Sequence, residues 1–135
     1  MRFLLDVNVL VAWGWADHTE HLQVTKWLAT LLKNRRDTLL TSAIPELGFV
    51  RVSVQRSQGA ITTAQAGAVL DGMLRKWRGK HEFLADDQAS RIWPTWCQSA
   101  TRTTDAHLLA LAQAHQTELA TLDGGIPSGF LIPKL

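Results

Sequence analysis

Apolar residues in this chain alternate between short buried runs and helical stripes. Phe3-Leu4-Leu5 is a three-residue apolar run stopped by Asp6, the pattern of a strand covered on both faces. From Val24 to Leu32 the apolar positions are 24, 27, 28, 31 and 32, a helical spacing that follows Thr19-Glu20 as a start signal. Thr38–Thr41 reads as a second buried strand, with Ser42 placed to cap the next element. Ala43–Gln55 fits two periods at once: Val50, Val52 and Val54 alternate as in a strand, while Ile44, Leu47 and Gly48 share a helical face. From Ala66 to Trp77 the positions 66, 69, 70, 73, 74 and 77 give the cleanest helix, capped by Thr62 or Thr63. Phe83-Leu84 is a short strand candidate, and Asp86-Asp87 is expected to cap a further helix. Thr103-Thr104-Asp105 opens a helix carrying Leu108, Leu111, Ala112 and His115. Leu119–Leu122 then reads as a strand before a Gly124-Gly125 turn, and Phe130–Ile132 as a last strand. Buried strands alternating with amphipathic helices predict βαβ units around a parallel sheet covered on both faces, an α/β architecture.

Composition narrows the setting. At 135 residues, 46% hydrophobic and 19% charged, the chain is expected to form one globular domain spanning 1–135. A lone Cys97, read as a small apolar residue near Trp93 and Trp96, excludes an internal disulfide. No apolar run reaches the ~18 residues of a membrane helix, and the N-terminus has no secretory pattern, so a reducing cytoplasm is expected. The net charge of +2 by itself favours neither nucleic acid nor membrane.

Placement of the acids changes that picture. Asp6 ends the first strand and Asp123 follows the strand begun at Leu119; Glu46 and Asp105 lie in first turns of helices. A helix leading into a parallel strand starts at the edge where strands end. All four acids therefore fall on the C-terminal edge of the sheet, where open α/β folds form their ligand crevice. Singly, Glu46, Asp105 and Asp123 each have an ordinary explanation, since acids complement a helix N-terminus and Asp precedes Gly in turns. Together they repel one another, and Asp6 interrupts an apolar stretch from Phe3 through Ala12. Only Arg51 and Arg102 lie near them in sequence. A hard divalent cation relieves the repulsion; Mg²⁺ or Mn²⁺ suits oxygen ligands without Cys or His and activates water for phosphodiester hydrolysis. Setting these four acids aside leaves a basic remainder, an acidic hole in a surface suited to RNA.

The motifs around the acids resemble a known family. Leu4-Leu5-Asp6-Val7-Asn8-Val9-Leu10-Val11-Ala12 is similar to the opening of PIN-domain ribonucleases, particularly the VapC-type toxins of bacterial toxin–antitoxin pairs. Ile44–Phe49, Thr104–Ala112 and Ala120–Asp123 resemble their second, third and fourth acidic motifs, in the right order across nearly the whole chain. The resemblance implies a three-layer α/β/α sandwich with a central, mostly parallel sheet, and a helical Ala43–Gln55. It implies a Mg²⁺- or Mn²⁺-dependent endoribonuclease, a homodimer, and a cognate antitoxin protein as inhibitor. Carried over by position, Asp6 and Asp105 are the principal metal ligands, Glu46 and Asp123 complete the catalytic acidic pocket, and Asn8 and Thr121 support it by hydrogen bonds. Gly124 and Gly125 stand where many relatives carry a further acid, which weighs against a full second metal site.

Other features are less specific. Arg75-Lys76-Trp77-Arg78-Gly79-Lys80 is either a solvated helix end or a phosphate contact, and Arg51 and Arg56 are expected to border the crevice and meet RNA. Trp13 and Trp15 either pack or stack on bases; Trp27 and Trp77 are expected in the core. His18 and His21 read as surface residues, and His107 as a satisfied polar group. A haloacid-dehalogenase-type phosphatase needs a second Asp where Asn8 stands, and a receiver-type domain needs paired acids on the first strand. The alternative from another class is a PIN-like module that binds RNA or protein without cleaving; clustered negative charge facing phosphates argues against it.

Overall fold

The computed structural model describes residues 1–135. Strand β1 (Arg2–Leu5) leads into helices α1 (Val7–Gly14) and α2 (His21–Lys33), then strand β2 (Thr38–Thr41). Helices α3 (Ala43–Arg56) and α4 (Thr63–Arg75) come next, then strand β3 (His81–Phe83). After an irregular segment and a short 3₁₀ turn at Ala100–Arg102 come helix α5 (Thr103–Ala114) and strands β4 (Glu118–Thr121) and β5 (Phe130–Leu131). The strands lie in the order β3-β2-β1-β4-β5, every neighbouring pair parallel.

Alternation along β1 builds the three layers. Phe3 and Leu5 face a core with Val9, Leu10, Val24, Leu28, Phe49 and Leu70 from α1 to α4. Leu4, with Leu40 and Leu119 of the flanking strands, faces Leu108, Leu111 and Ala112 of α5. The architecture is thus the expected α/β/α sandwich.

Some elements follow the expected pattern and others differ from it. Helix α1 has no polar face to betray it: Val7, Val9, Leu10, Val11 and Ala12 are all buried, so periodicity is silent. Its start is marked by Asp6, whose side chain accepts from the Asn8 backbone N–H. The ambiguous segment is helical, with Gly48 letting α3 press against α1, since a Cβ there would lie 2.7 Å from a Val7 methyl. Thr62 and Gln65 close a full capping box on α4. Ser42 occupies the cap position of α3 but makes no cap bond; its hydroxyl donates to the Leu84 carbonyl. Asp86 and Asp87 cap no helix. They instead take His107 Nε2 at 2.7 Å and His115 Nε2 at 2.9 Å, tying the irregular segment to α5. His21 is not a free surface residue either, because its Nδ1 lies 2.7 Å from the Ala12 carbonyl. No helix is long and apolar enough to cross a membrane.

Candidate active site

Strand order reverses across β1: the chain winds outward to β2 and β3, then returns to β4 on the other side. The carboxyl ends of β1 and β4 therefore flank the switch point of the sheet, the usual ligand position in an open parallel fold. Asp6 stands directly after β1, its backbone N–H continuing the ladder to Ala120 O at 3.1 Å. Asp6 as a residue is 4% exposed, an expensive place for a charge. Thr121, at the end of β4, donates its hydroxyl to Asp6 Oδ2 at 2.9 Å, and the Asn8 N–H reaches Oδ1 at 3.3 Å. Burial pushes the Asp6 carboxyl above the ordinary carboxylate range; the Thr121 hydrogen bond opposes this, and the Asp105 charge adds to it.

Asp105 enters from the first turn of α5, and Asp123 from the turn after β4. Burial also raises the Asp105 carboxyl, opposed by Arg102 and reinforced by Asp123. Arg102 bridges the two acids, with Nη1 3.2 Å from Asp105 Oδ2 and 2.8 Å from Asp123 Oδ2. Its Nη2 donates to the Gly125 carbonyl at 3.0 Å. Thr121 Oγ1 serves twice, because it also accepts from the Asp123 N–H at 3.0 Å. Asp6, Asp105 and Asp123 thus share one electrostatic neighbourhood, and Thr121 couples two of them.

Glu46 is half-buried at the same sheet edge but over β2. Its Oε2 accepts from the Thr41 hydroxyl at 2.7 Å, and Thr41 Oγ1 lies 2.7 Å from His81 Nε2. One hydroxyl proton serves only one acceptor, so His81 carries its proton on Nε2 and donates into this chain. Burial lowers the His81 pKa, opposed by Glu46. In this conformation no three acidic, His or Cys side chains stand close enough together to enclose an ion. The available donors are carboxylate oxygens of Asp6 and Asp105, with Asp123 and Glu46 flanking. That is a hard, all-oxygen set fitting a cation held by one or two carboxylates with its waters retained.

The remaining expected residues divide. Thr121 supports Asp6 by its side chain, whereas Asn8 does so through its backbone and its side chain is exposed. Arg51 is exposed on α3, five residues beyond Glu46. Arg56 sits at the far end of α3, about 15 Å along the axis from Glu46. There it pairs with Asp17 at 3.0 Å and stacks over Trp15 at 4.9 Å. Trp15 further donates to Ser53 Oγ at 3.0 Å, and Trp13 packs edge-on against Trp77, so both are engaged in packing. Arg75 and Arg78, with His81 and Asp71, line an open groove of about 430 Å³ beside Glu46. The depth of Arg102's involvement was not read from sequence. The signal for it was its position three residues before Asp105 on one helical face.

Comparison with known proteins places the chain among relatives of one family. The family model described as "PIN domain" covers residues 3–128. Ribonuclease VapC39 of Mycobacterium tuberculosis is 33% identical over 93% of this chain and 91% of its own length. Ribonuclease VapC38 of the same organism is 37% identical over 91% and 86%. Among solved structures, VapBC2 from Rickettsia felis bound to a promoter DNA fragment aligns with a TM-score of 0.60, covering 97% of each chain at 18% identity, a likeness of fold.

Proposed function

The chain belongs to the PIN-domain family, in its VapC branch, and on that premise we propose that it is a metal-dependent endoribonuclease, the toxin of a toxin–antitoxin pair. The observation that carries this reading is the convergence of Asp6, Asp105 and Asp123 at the β1/β4 switch point, with a buried Asp6 whose charge is poorly compensated. Asp6 and Asp105 are the residues that would hold Mg²⁺ or Mn²⁺, with Asp123 and Glu46 completing the pocket directly or through water. Such an ion, held there, would supply an activated water and charge neutralisation for phosphodiester hydrolysis.

The chain's own groups prepare the site. Thr121 fixes the Asp6 carboxylate, and the Asn8 N–H at the start of α1 holds its other oxygen. His81 and Thr41 orient Glu46. The groove lined by Arg75 and Arg78, and the exposed Arg51, favour an RNA backbone, giving salt-sensitive affinity that does not depend on base sequence. An antitoxin that closes this site fits it best by presenting a basic side chain to the acids. A homodimer in the cytoplasm completes the reading.

The test is incubation of antitoxin-free protein with a panel of structured RNAs in Mg²⁺, Mn²⁺ or EDTA, beside Asp6→Asn and Asp105→Asn. Cleavage confined to the wild-type protein with metal is expected. RNA bound but left intact in every condition would make this a binding module instead.

A further inference from the structure

Arg102 is held more firmly than a surface arginine. Its guanidinium meets Asp105, Asp123 and the Gly125 carbonyl, and its side chain is 30% exposed. The backbone beside it is shaped to admit it. A Cβ at Gly125 would overlap Arg102 Nη2 and lie 3.1 Å from Asp123 Oδ1. Gly125 is not among the glycines with positive φ, which are Gly59 and Gly79, so backbone conformation does not require glycine there. What glycine provides at 125 is room for the guanidinium. A guanidinium has five N–H donors, and those three partners use three of them. The rest, on Nε and Nη2, remain to meet a phosphate oxygen at the partly open face.

We propose that Arg102 is a built-in cation of the acidic pocket. It takes the place between Asp105 and Asp123 that a second ion would need, and it offers its free N–H groups to the RNA phosphate. The pocket then binds one divalent ion, through Asp6 and the side of Asp105 that Arg102 leaves open. This rests on the nuclease reading above and adds the number and kind of charges that face the substrate. A guanidinium keeps its charge at every working pH; here Nη1 alone meets both carboxylates, while Nη2 anchors the group on the Gly125 carbonyl.

Calorimetric titration with Mn²⁺ alone tests it, using the wild-type chain, Asp6→Asn, Arg102→Ala and Gly125→Ala. Gly125→Ala keeps every charge but places a methyl group where the guanidinium lies, so it tests the idea even if Arg102→Ala fails to fold. One ion per chain is expected for the wild type, with at least tenfold weaker binding in Asp6→Asn. A second, weaker ion is expected in Arg102→Ala and Gly125→Ala. Two ions in the wild type, or a single ion in both folded variants, would overturn the role of Arg102 while leaving the nuclease reading standing. No binding to the wild type would overturn the metal assignment itself, and this inference with it.

Discussion

Replacing Thr121 with valine keeps the side chain's shape and removes one hydroxyl that joins two acids. Thr121 is 1% exposed, so no water takes the hydroxyl's place without rearrangement. Asp6 Oδ2 loses a donor at 2.9 Å, and the Asp123 N–H loses an acceptor at 3.0 Å. A hydrogen bond to a charged group contributes roughly 1.5–3 kcal/mol and a neutral one about 1, so Thr121→Val should cost about 2–4 kcal/mol. That is a large share of the roughly 5–15 kcal/mol that holds a domain folded. The loss should depend on pH in a definite direction. Asp6 titrates above its unfolded value, so the folded chain binds this proton more readily than the unfolded chain. The contribution of Asp6 to the stability of the metal-free protein therefore falls as pH rises from the unfolded carboxylate range through the Asp6 value, and is level above it. Without the hydroxyl, Asp6 shifts further up, so the fall is larger and extends to higher pH. The deficit of Thr121→Val is then greatest at neutral pH and narrows in mild acid. Urea unfolding of both proteins in EDTA at the two pH values measures this. A deficit under about 0.5 kcal/mol, or one equal at both pH values, would mean that the hydroxyl does not support a buried charge.

Three further outcomes are expected. Asp6→Asn removes the buried charge, so the metal-free chain should gain about 1 kcal/mol at neutral pH and little below the Asp6 value, while losing Mn²⁺-dependent cleavage; thermal melts and cleavage assays with and without Mn²⁺ show both. Gly48→Ala places a Cβ 2.7 and 2.8 Å from the two Val7 methyls, and should cost about 1–3 kcal/mol by overpacking α1 against α3, read as a lower denaturation midpoint. Thr62→Ala breaks the capping box of α4 far from the acids; it should cost about 1 kcal/mol in unfolding assays and leave the cleavage rate within about twofold.

Much of this site was legible because sheet topology converts sequence position into spatial position. A short apolar run ended by Asp6, and a second followed by Asp123, place both acids at one sheet edge once the strands are parallel. Asp105, in the first turn of the helix leading into β4, falls at that edge for the same reason. What remained hidden has identifiable causes. Helix α1 is buried on nearly every side, which erases the 3.6-residue signal. The helical and strand periods coincide over Ala43–Gln55, so periodicity alone does not decide between them; the family resemblance does, and packing against α1 agrees. Asp86 and Asp87 looked like helix caps because the residue type suits a cap, yet their partners are His107 and His115, some twenty or more residues away. Glu46 reached the expected edge, but whether it joins Asp6 or turns to Thr41 depends on side-chain geometry that spacing does not encode. Arg102 was visible as the nearest base to Asp105. Its bridge to Asp123 required the β4 turn to bring residue 123 alongside.

The acidic pocket is tested most directly by the single-turnover cleavage rate of a structured RNA as free Mn²⁺ is raised from an EDTA baseline. A nuclease built on Asp6 and Asp105 gives no cleavage in EDTA, full recovery on adding Mn²⁺, saturation with a Hill slope of about one, and a flat response for Asp105→Asn. Cleavage that persists in EDTA, or that survives intact in Asp105→Asn, would contradict it.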